Sequence, residues 1–197
     1  MNVFIFTGLI ISLIHNNMAD ERARKRIING QDAQLFDVPS QVAIMKRLDT
    51  GYFDQWCGAV LVAWNKVVKL ADEIDRYVNT SCIMSGWGYT NKTLWTKTNR
   101  LQKAITMIIS NTYCKTFWPQ FSEALDKKLF LCVYNKNGTS GQPNSICSGD
   151  SGGPLYCGPN KDILVGTAVG NESKCKGMLA QVFTNVATYK DWLADKL

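Results

Sequence analysis

From Ile27 onward the chain is cut into short runs rich in Val, Ile, Thr and aromatic residues, with Gly, Asn, Pro and Ser between them. These runs cover residues 41–46, 58–62, 83–86, 101–109, 129–133, 163–169 and 182–185. Many short strand-like segments with such punctuation predict an all-β barrel or sandwich. The end of the chain differs. Val186, Tyr189, Trp192, Leu193 and Leu197 recur at helical spacing, which predicts a carboxy-terminal amphipathic helix. At 197 residues, 46% of them hydrophobic, the chain is long and apolar enough for one or two compact domains.

The first 26 residues follow another pattern. Residues 3–14 form an apolar run, shorter than the roughly 20 residues a membrane-spanning helix needs. Met18, Ala19 and Asp20 follow, so residues 1–19 read as a secretory signal; the alternative is a buried strand or helix. Residues 20–26 are short and charged, ending in the dibasic pair Lys25-Arg26 before Ile27-Ile28-Asn29-Gly30. That abrupt switch reads as an activation segment cut after Arg26 by another protease, the alternative being a solvated charge run. Residues 1–26 hold four basic and two acidic side chains, so +4 of the net charge of +6 remains beyond them. It forms no basic block, and no nucleic-acid role is expected. No later segment reads as a membrane span, so a secreted, extracellular protein is expected. Seven cysteines then imply disulfides with one thiol left over. Sequons begin at Asn79, Asn91, Asn137 and Asn171, in keeping with an extracellular surface.

The chemistry concentrates in Cys147-Ser148-Gly149-Asp150-Ser151-Gly152-Gly153-Pro154. Acyl transfer by a serine needs a nucleophile, a base to take its proton, and donors for the developing oxyanion. Ser151 is the candidate nucleophile. The backbone N–H groups of Gly149 and Ser151 are the candidate oxyanion donors, and Gly152 and Gly153 keep the approach clear. Asp150 is costly to bury without a cation. The α-amino group of Ile27, freed by cleavage after Arg26, is a fitting partner; otherwise Asp150 caps a turn. The base is missing. The only histidine is His15, inside the leader. Asp54, Asp72, Glu73 and Asp75 lack the proton affinity of an imidazole, and Lys66 or Lys69 could serve only by analogy with unrelated hydrolases.

With these residues in view, the chain from Ile27 onward resembles the chymotrypsin/trypsin family of serine endopeptidases. Cys57-Gly58-Ala59-Val60-Leu61 is similar to the family's Cys-Gly-Gly-Ser-Leu strand, and Ser85-Gly86-Trp87-Gly88 matches its Ser-Gly-Trp-Gly. The run from Cys147 to Pro154 matches the nucleophile loop. Gln181-Val182-Phe183-Thr184-Asn185-Val186 resembles Gly-Val-Tyr-x-x-Val, and Trp192-Leu193 the closing helix. The resemblance implies a double β-barrel with a carboxy-terminal helix. Residues 27–197 are then one protease domain, 27–78 a shortened first barrel and 79–197 a near-complete second one.

The resemblance also locates what is absent. Family members continue after the Cys57 strand to Thr-Ala-Ala-His-Cys, and later to Asp-Ile-Ala-Leu. Here residues 60–67 look like the approach to that histidine, and Val68-Lys69-Leu70 like the segment just after that aspartate, so the join falls between Val67 and Val68. The implied disulfides are Cys82 with Cys157, Cys114 with Cys132 and Cys147 with Cys175. Cys57, whose partner would follow the histidine, is left as a free thiol. Ser145 and Gly170 are implied at the specificity pocket, with Gln181 where a glycine usually lines its wall. A serine at 145 does not favour Lys or Arg substrates. Ala168-Val169-Gly170 replaces the usual Ser-Trp-Gly. The expected protein is a secreted endopeptidase homologue, inactive as written, that meets protein or peptide substrates or inhibitors. The alternative is a non-catalytic homologue that binds protein partners or decoy substrates. Neither a metal nor another cofactor is expected.

Overall fold

The computed structural model describes residues 27–35, 37–62, 68–89, 99–138, 141–170 and 175–195. The leader, the activation segment, His15, Lys66 and the sequon asparagines Asn91 and Asn171 lie outside the described residues, as does Val67 at the join.

Among the described residues, ten strands form two sheets. They are β1 (Gln31–Asp32), β2 (Gln41–Arg47), β3 (Phe53–Val60), β4 (Lys69–Leu70), β5 (Ser81–Gly86), β6 (Gln102–Ile109), β7 (Phe130–Val133), β8 (Pro154–Cys157), β9 (Ile163–Gly170) and β10 (Gln181–Asn185). Strands β6, β5, β8, β9, β10 and β7 pair in that order, and β7 pairs back onto β6 through Ile108 opposite Val133 and Ile109 opposite Cys132. The six strands therefore close into a barrel, which leaves no free edge within the ring. β1 adds to β6 antiparallel, and β4 adds to β9 in parallel. Both come from the first half of the chain.

The period of two is clear in β6. Gln102, Ala104, Thr106 and Ile108 point inward and are buried, while Ile105 and Met107 face outward. β8 is buried along its whole length. Proline starts that strand, where its missing N–H costs no ladder bond. This explains why Pro-Leu-Tyr-Cys, next to a glycine-rich turn, does not read as a strand in the sequence. Strand β3 begins at Phe53, five residues before the predicted run. Inside the barrel Met84, Ile108, Leu131, Leu155, Val165 and Phe183 pack with Ile27.

Two short helices that the sequence does not announce, α1 (Asn111–Phe117) and α2 (Ser122–Asp126), pack on each other and against β7. Ser110 caps α1 by accepting a hydrogen bond from the Tyr113 N–H. Below them Cys114, Leu125 and Cys132 pack against Phe117, Trp118, Phe121 and Phe130. The predicted carboxy-terminal helix is a tight turn at Val186–Tyr189 running into α3 (Lys190–Ala194). Three disulfides join β5 to β8 (Cys82 with Cys157), α1 to β7 (Cys114 with Cys132), and the turn before Ser151 to the approach to β10 (Cys147 with Cys175). Each contributes about 2–4 kcal/mol.

β2 and β3 form a separate two-stranded sheet, Gln41 opposite Val60 through Arg47 opposite Phe53. Two strands alone are marginal in water. Val42, Ile44, Met45, Phe53 and Trp56 on this ribbon are all exposed. An apolar groove of about 430 Å³ runs between its inner residues Ile44, Ala59 and Val60 and the Trp192–Leu193 end of the chain. A few contacts dock the ribbon on the barrel. Gly58 N–H donates to Ser151 O at 2.9 Å, Ser40 bonds Tyr156 OH, and Ser85 Oγ donates to Gln41 Oε1.

So few attachments should let the ribbon open without the barrel. Native-state hydrogen exchange should show β2 and β3 amides exchanging at least ~100-fold faster than those of β5, β6, β9 and β10. Equal protection of both sheets would contradict this division.

Candidate active site

The segment from Cys147 to Gly153 folds as two successive turns. Asp150 N–H donates to Cys147 O, and Gly153 N–H to Asp150 O, both at 2.9 Å. Strand β9 clamps the exit, with Gly152 N–H bonded to Ala168 O and Ala168 N–H to Gly153 O, each at 2.8 Å. Gly152 has φ +82°, and a β-carbon there would run into Gly58 O. Only glycine fits. The result is an exposed Ser151 at a cleft of about 500 Å³, shared with Lys46, Leu48, Asp54, Trp56, Cys57, Tyr89, Ser148 and Gly149. Among the described residues, no acceptor takes the Gly149 or Ser151 N–H. Gln55, which sequence reasoning missed, donates from Nε2 to Gly149 O at 2.8 Å and steadies that peptide unit. A β-bulge between Gln55 and Cys57, opposite Met45 and Ile44, takes Gln55 out of simple alternation, so no direct signal of its role stands in the sequence.

Asp150 is completely buried. Its carboxylate accepts from Gly88 N–H at 2.7 Å and from Cys147 N–H at 2.8 Å. No cation faces it among the described residues. Burial pushes its pKa up to about 7, against the opposing pull of those two hydrogen bonds. Ile27 is also fully buried, and its neighbour Ile28 exchanges backbone hydrogen bonds with Ser145, at 2.9 and 3.2 Å. The first residues after Arg26 thus already lie against the segment that leads into the Ser151 turn.

No histidine stands among the described residues. Of the acids considered as a base, only Asp54 lines the cleft. Asp72 pairs with Lys190, Glu73 with Arg76 and Asp75 with Lys128. Lys69 donates to Asp162 at 2.8 Å, and that bond raises its pKa, the wrong direction for a base. Lys46 sits 5.1 Å from the centroid of the Trp56 ring, so its charge is held over an aromatic face. Cys57 forms no disulfide among the described residues and is partly exposed at the cleft. No group of three metal-ligating side chains occurs among the described residues.

Of the residues expected at a specificity pocket, Gln181 bonds the segment on either side of Ser145, and Gly170 pairs with Val182 next to Gln181; none of the three lines the cleft. Ser145 is fully buried, and its Oγ donates to Ile146 O at 2.8 Å. Gly170 ends β9 opposite Val182. Gln181 is buried, and its side chain reaches from β10 to the 144–146 segment. Its Oε1 accepts from Ile146 N–H at 2.8 Å, and its Nε2 donates to Asn144 O at 2.9 Å.

Residues 66–193 match the family model described as Trypsin. Over 99 residues the chain is 34% identical to a chymotrypsin-like serine proteinase of Haliotis rufescens, covering 50% of this chain and 35% of that protein. Over 120 residues it is 30% identical to kallikrein 1-related peptidase b26 of Mus musculus, covering 60% and 41%. A fibrinolytic enzyme, isozyme C, of Lumbricus rubellus is 30% identical over 129 residues, covering 64% and 51%. The chain thus spans between a third and about half of the length of these relatives. The solved structure of HL collagenase superposes with a TM-score of 0.67 at 19% identity, over 86% of this chain and 97% of that one, a likeness of fold.

The raised pKa of Asp150 sets a pH dependence. Between the ordinary carboxyl value near 3.8 and about 7, the folded chain holds a proton that the unfolded chain has lost. The contribution of Asp150 to stability of the uncleaved chain should therefore be fully present below pH 4 and be lost as pH rises to 7, by up to about 4 kcal/mol. Urea unfolding of the uncleaved chain at pH 4.5 and 7.5 should show that loss, and Asp150→Asn should flatten it. Under native conditions iodoacetamide should modify one thiol, which peptide mapping should place at Cys57.

Proposed function

Since the chain belongs to the trypsin family of serine proteases, we propose that it is a secreted member of that family that binds peptides at the Ser151 cleft but hydrolyses them poorly as written. The observation that carries this reading is a nucleophile turn of the right build with no imidazole among the described residues. The sequence contains a single histidine, His15, in the segment we read as a secretory leader. In this mechanism the base and the nucleophile work as a unit, and losing one costs about 10⁴-fold or more.

The residues divide the task as follows. Ser151 supplies the nucleophile in the full-length parent, a protein longer than this chain that carries the missing histidine and aspartate. The N–H groups of Gly149 and Ser151 receive the oxyanion. Residues 1–19 direct export, residues 20–26 are removed by a second protease cutting after Arg26, and the new amino group of Ile27 pairs with Asp150. An amine of ordinary pKa near 8 is charged at neutral pH. Burying it beside Asp150 ionises a carboxyl that otherwise prefers its proton, and this would order the turn only after processing. Residues 27–78 then form a shortened first barrel and residues 79–197 the second.

A second reading is a protein whose purpose is binding alone, with protein partners, inhibitors or decoy substrates seated at the cleft. The exposed apolar ribbon β2–β3 favours it, because that surface stands ready for contact.

Reaction with an organophosphonate separates an active from an inactive centre. Chain processed after Arg26 should label at Ser151 about 10⁴-fold more slowly than an intact trypsin-type protease under the same conditions. Rapid labelling at Ser151 would overturn the inactivity.

A further inference from the structure

We propose that Lys46-Arg47 is a second cleavage site, where a protease directed to basic residues cuts the tip of the β2–β3 ribbon and dismantles that side of the Ser151 cleft. This rests on the reading that such a protease meets the chain at Lys25-Arg26. It goes beyond that reading in naming another bond and what its loss does.

The sequence Lys-Arg occurs twice in the chain, at 25–26 and at 46–47, and an aliphatic residue follows each time, Ile27 and Leu48. The second pair lies where the fold is most open. Residues 44–53 are all exposed, the longest such run among the described residues. Exposed tips of this kind are the preferred places for proteolytic nicking. Two backbone bonds close the tip. Leu48 N–H donates to Tyr52 O at 2.8 Å, and Gly51 N–H to Leu48 O at 2.9 Å. The β-bulge between Ile44 and Met45 interrupts the ladder behind it. The pairs Met45–Gln55, Lys46–Asp54 and Arg47–Phe53 can therefore peel apart while the ladder from Gln41 to Ile44 holds. Lys46 must then leave the Trp56 ring, 5.1 Å from its centroid, and that attraction is small between exposed groups.

Other exposed basic residues are tied to the barrel. Arg100 pairs with Asp32 at 3.1 Å and stands two residues before β6. Lys127 and Lys128 pair with Glu123 and Asp75. Just after them Leu129 N–H donates to Ala124 O at 2.9 Å, and β7 begins at Phe130. Freeing the bond after Arg100 or Lys128 means opening a closed ring of strands.

Hydrolysis breaks the Arg47–Leu48 amide with one water and leaves an Arg47 carboxylate and a Leu48 ammonium. Cys57 is the first cysteine in the sequence, so no disulfide can hold residues 27–47 to the rest. The hairpin connection that keeps β2 at a high local concentration beside β3 is then gone. β2 is the only strand that β3 pairs with among the described residues. Trp56 and Cys57 on β3 line the cleft, and Gln55 bonds Gly149 O. The cut therefore undoes one wall of the cleft while the barrel and the Ser151 turn stay whole.

The test treats the full chain briefly with trypsin, which cuts after any accessible Lys or Arg, and sequences the new amino termini. Ile27 and Leu48 should appear before Leu101 or Leu129, and a denaturing gel without reductant should show the segment before Leu48 released. Iodoacetamide should modify Cys57 at least about tenfold faster in the cut chain. In the double variant Lys46→Gln, Arg47→Gln, whose changes lie on exposed side chains, trypsin should leave that rate unchanged. Leu101 or Leu129 appearing before Leu48 would overturn the site, and a Cys57 rate unaffected by the cut would overturn its consequence. Ile27 without Leu48 would reject the second site and leave the activation reading standing. Leu48 without Ile27 would uphold the site and reject the activation reading instead.

Discussion

The carboxylate of Asp150, buried without a cation among the described residues, organises everything around it. Cys147 and Gly88 each give it an N–H, and no side chain can stand where those two strands of contact meet. A β-carbon on Gly88 would come within 2.6 Å of the carboxylate, and one on Gly86 would overlap it. That single contact joins two motifs some sixty residues apart. Ser85-Gly86-Trp87-Gly88 has its glycines because Asp150 occupies their space, and Asp150 is tolerable in the interior because their backbone supplies a donor. Ser151 is displayed by the same turn, one residue further on.

The barrel supplies the rigidity that this arrangement needs. Six strands close on themselves, the disulfides Cys147–Cys175 and Cys82–Cys157 tie the turn and the strand that follows it, and β9 bonds the turn through Gly152 and Gly153. The ribbon β2–β3 has no such support. It touches the turn through Gly58 and brings Gln55, Trp56 and Cys57 to the cleft, but exposes much of its apolar surface. Half of the cleft is therefore built on a closed scaffold and half on two strands that depend on the barrel for their place.

Much of this was legible in the residues. The alternation in β6, the glycines around Ser151 and the helical spacing after Val186 all report local geometry, and local geometry is what a sequence encodes most directly. β8 was not legible, because a strand buried on both faces has no alternation and its proline reads as a break. The helices α1 and α2 were missed for a related reason: seven and five residues are too few to establish a period. Gln55 was overlooked because its role depends on the carbonyl of a residue far along the chain.

The sequence by itself determined the family, the Ser151 turn and the lack of any histidine after His15, since each is a matter of which residues are present and in what order. Only the tertiary structure decided what Gln181 does. A glutamine in place of a glycine says that a pocket wall is altered. Where its side chain goes depends on where two backbone groups, Ile146 N–H and Asn144 C=O, stand when the barrel closes. The Gln181 side chain bonds both of them across the gap between β10 and the 144–146 segment.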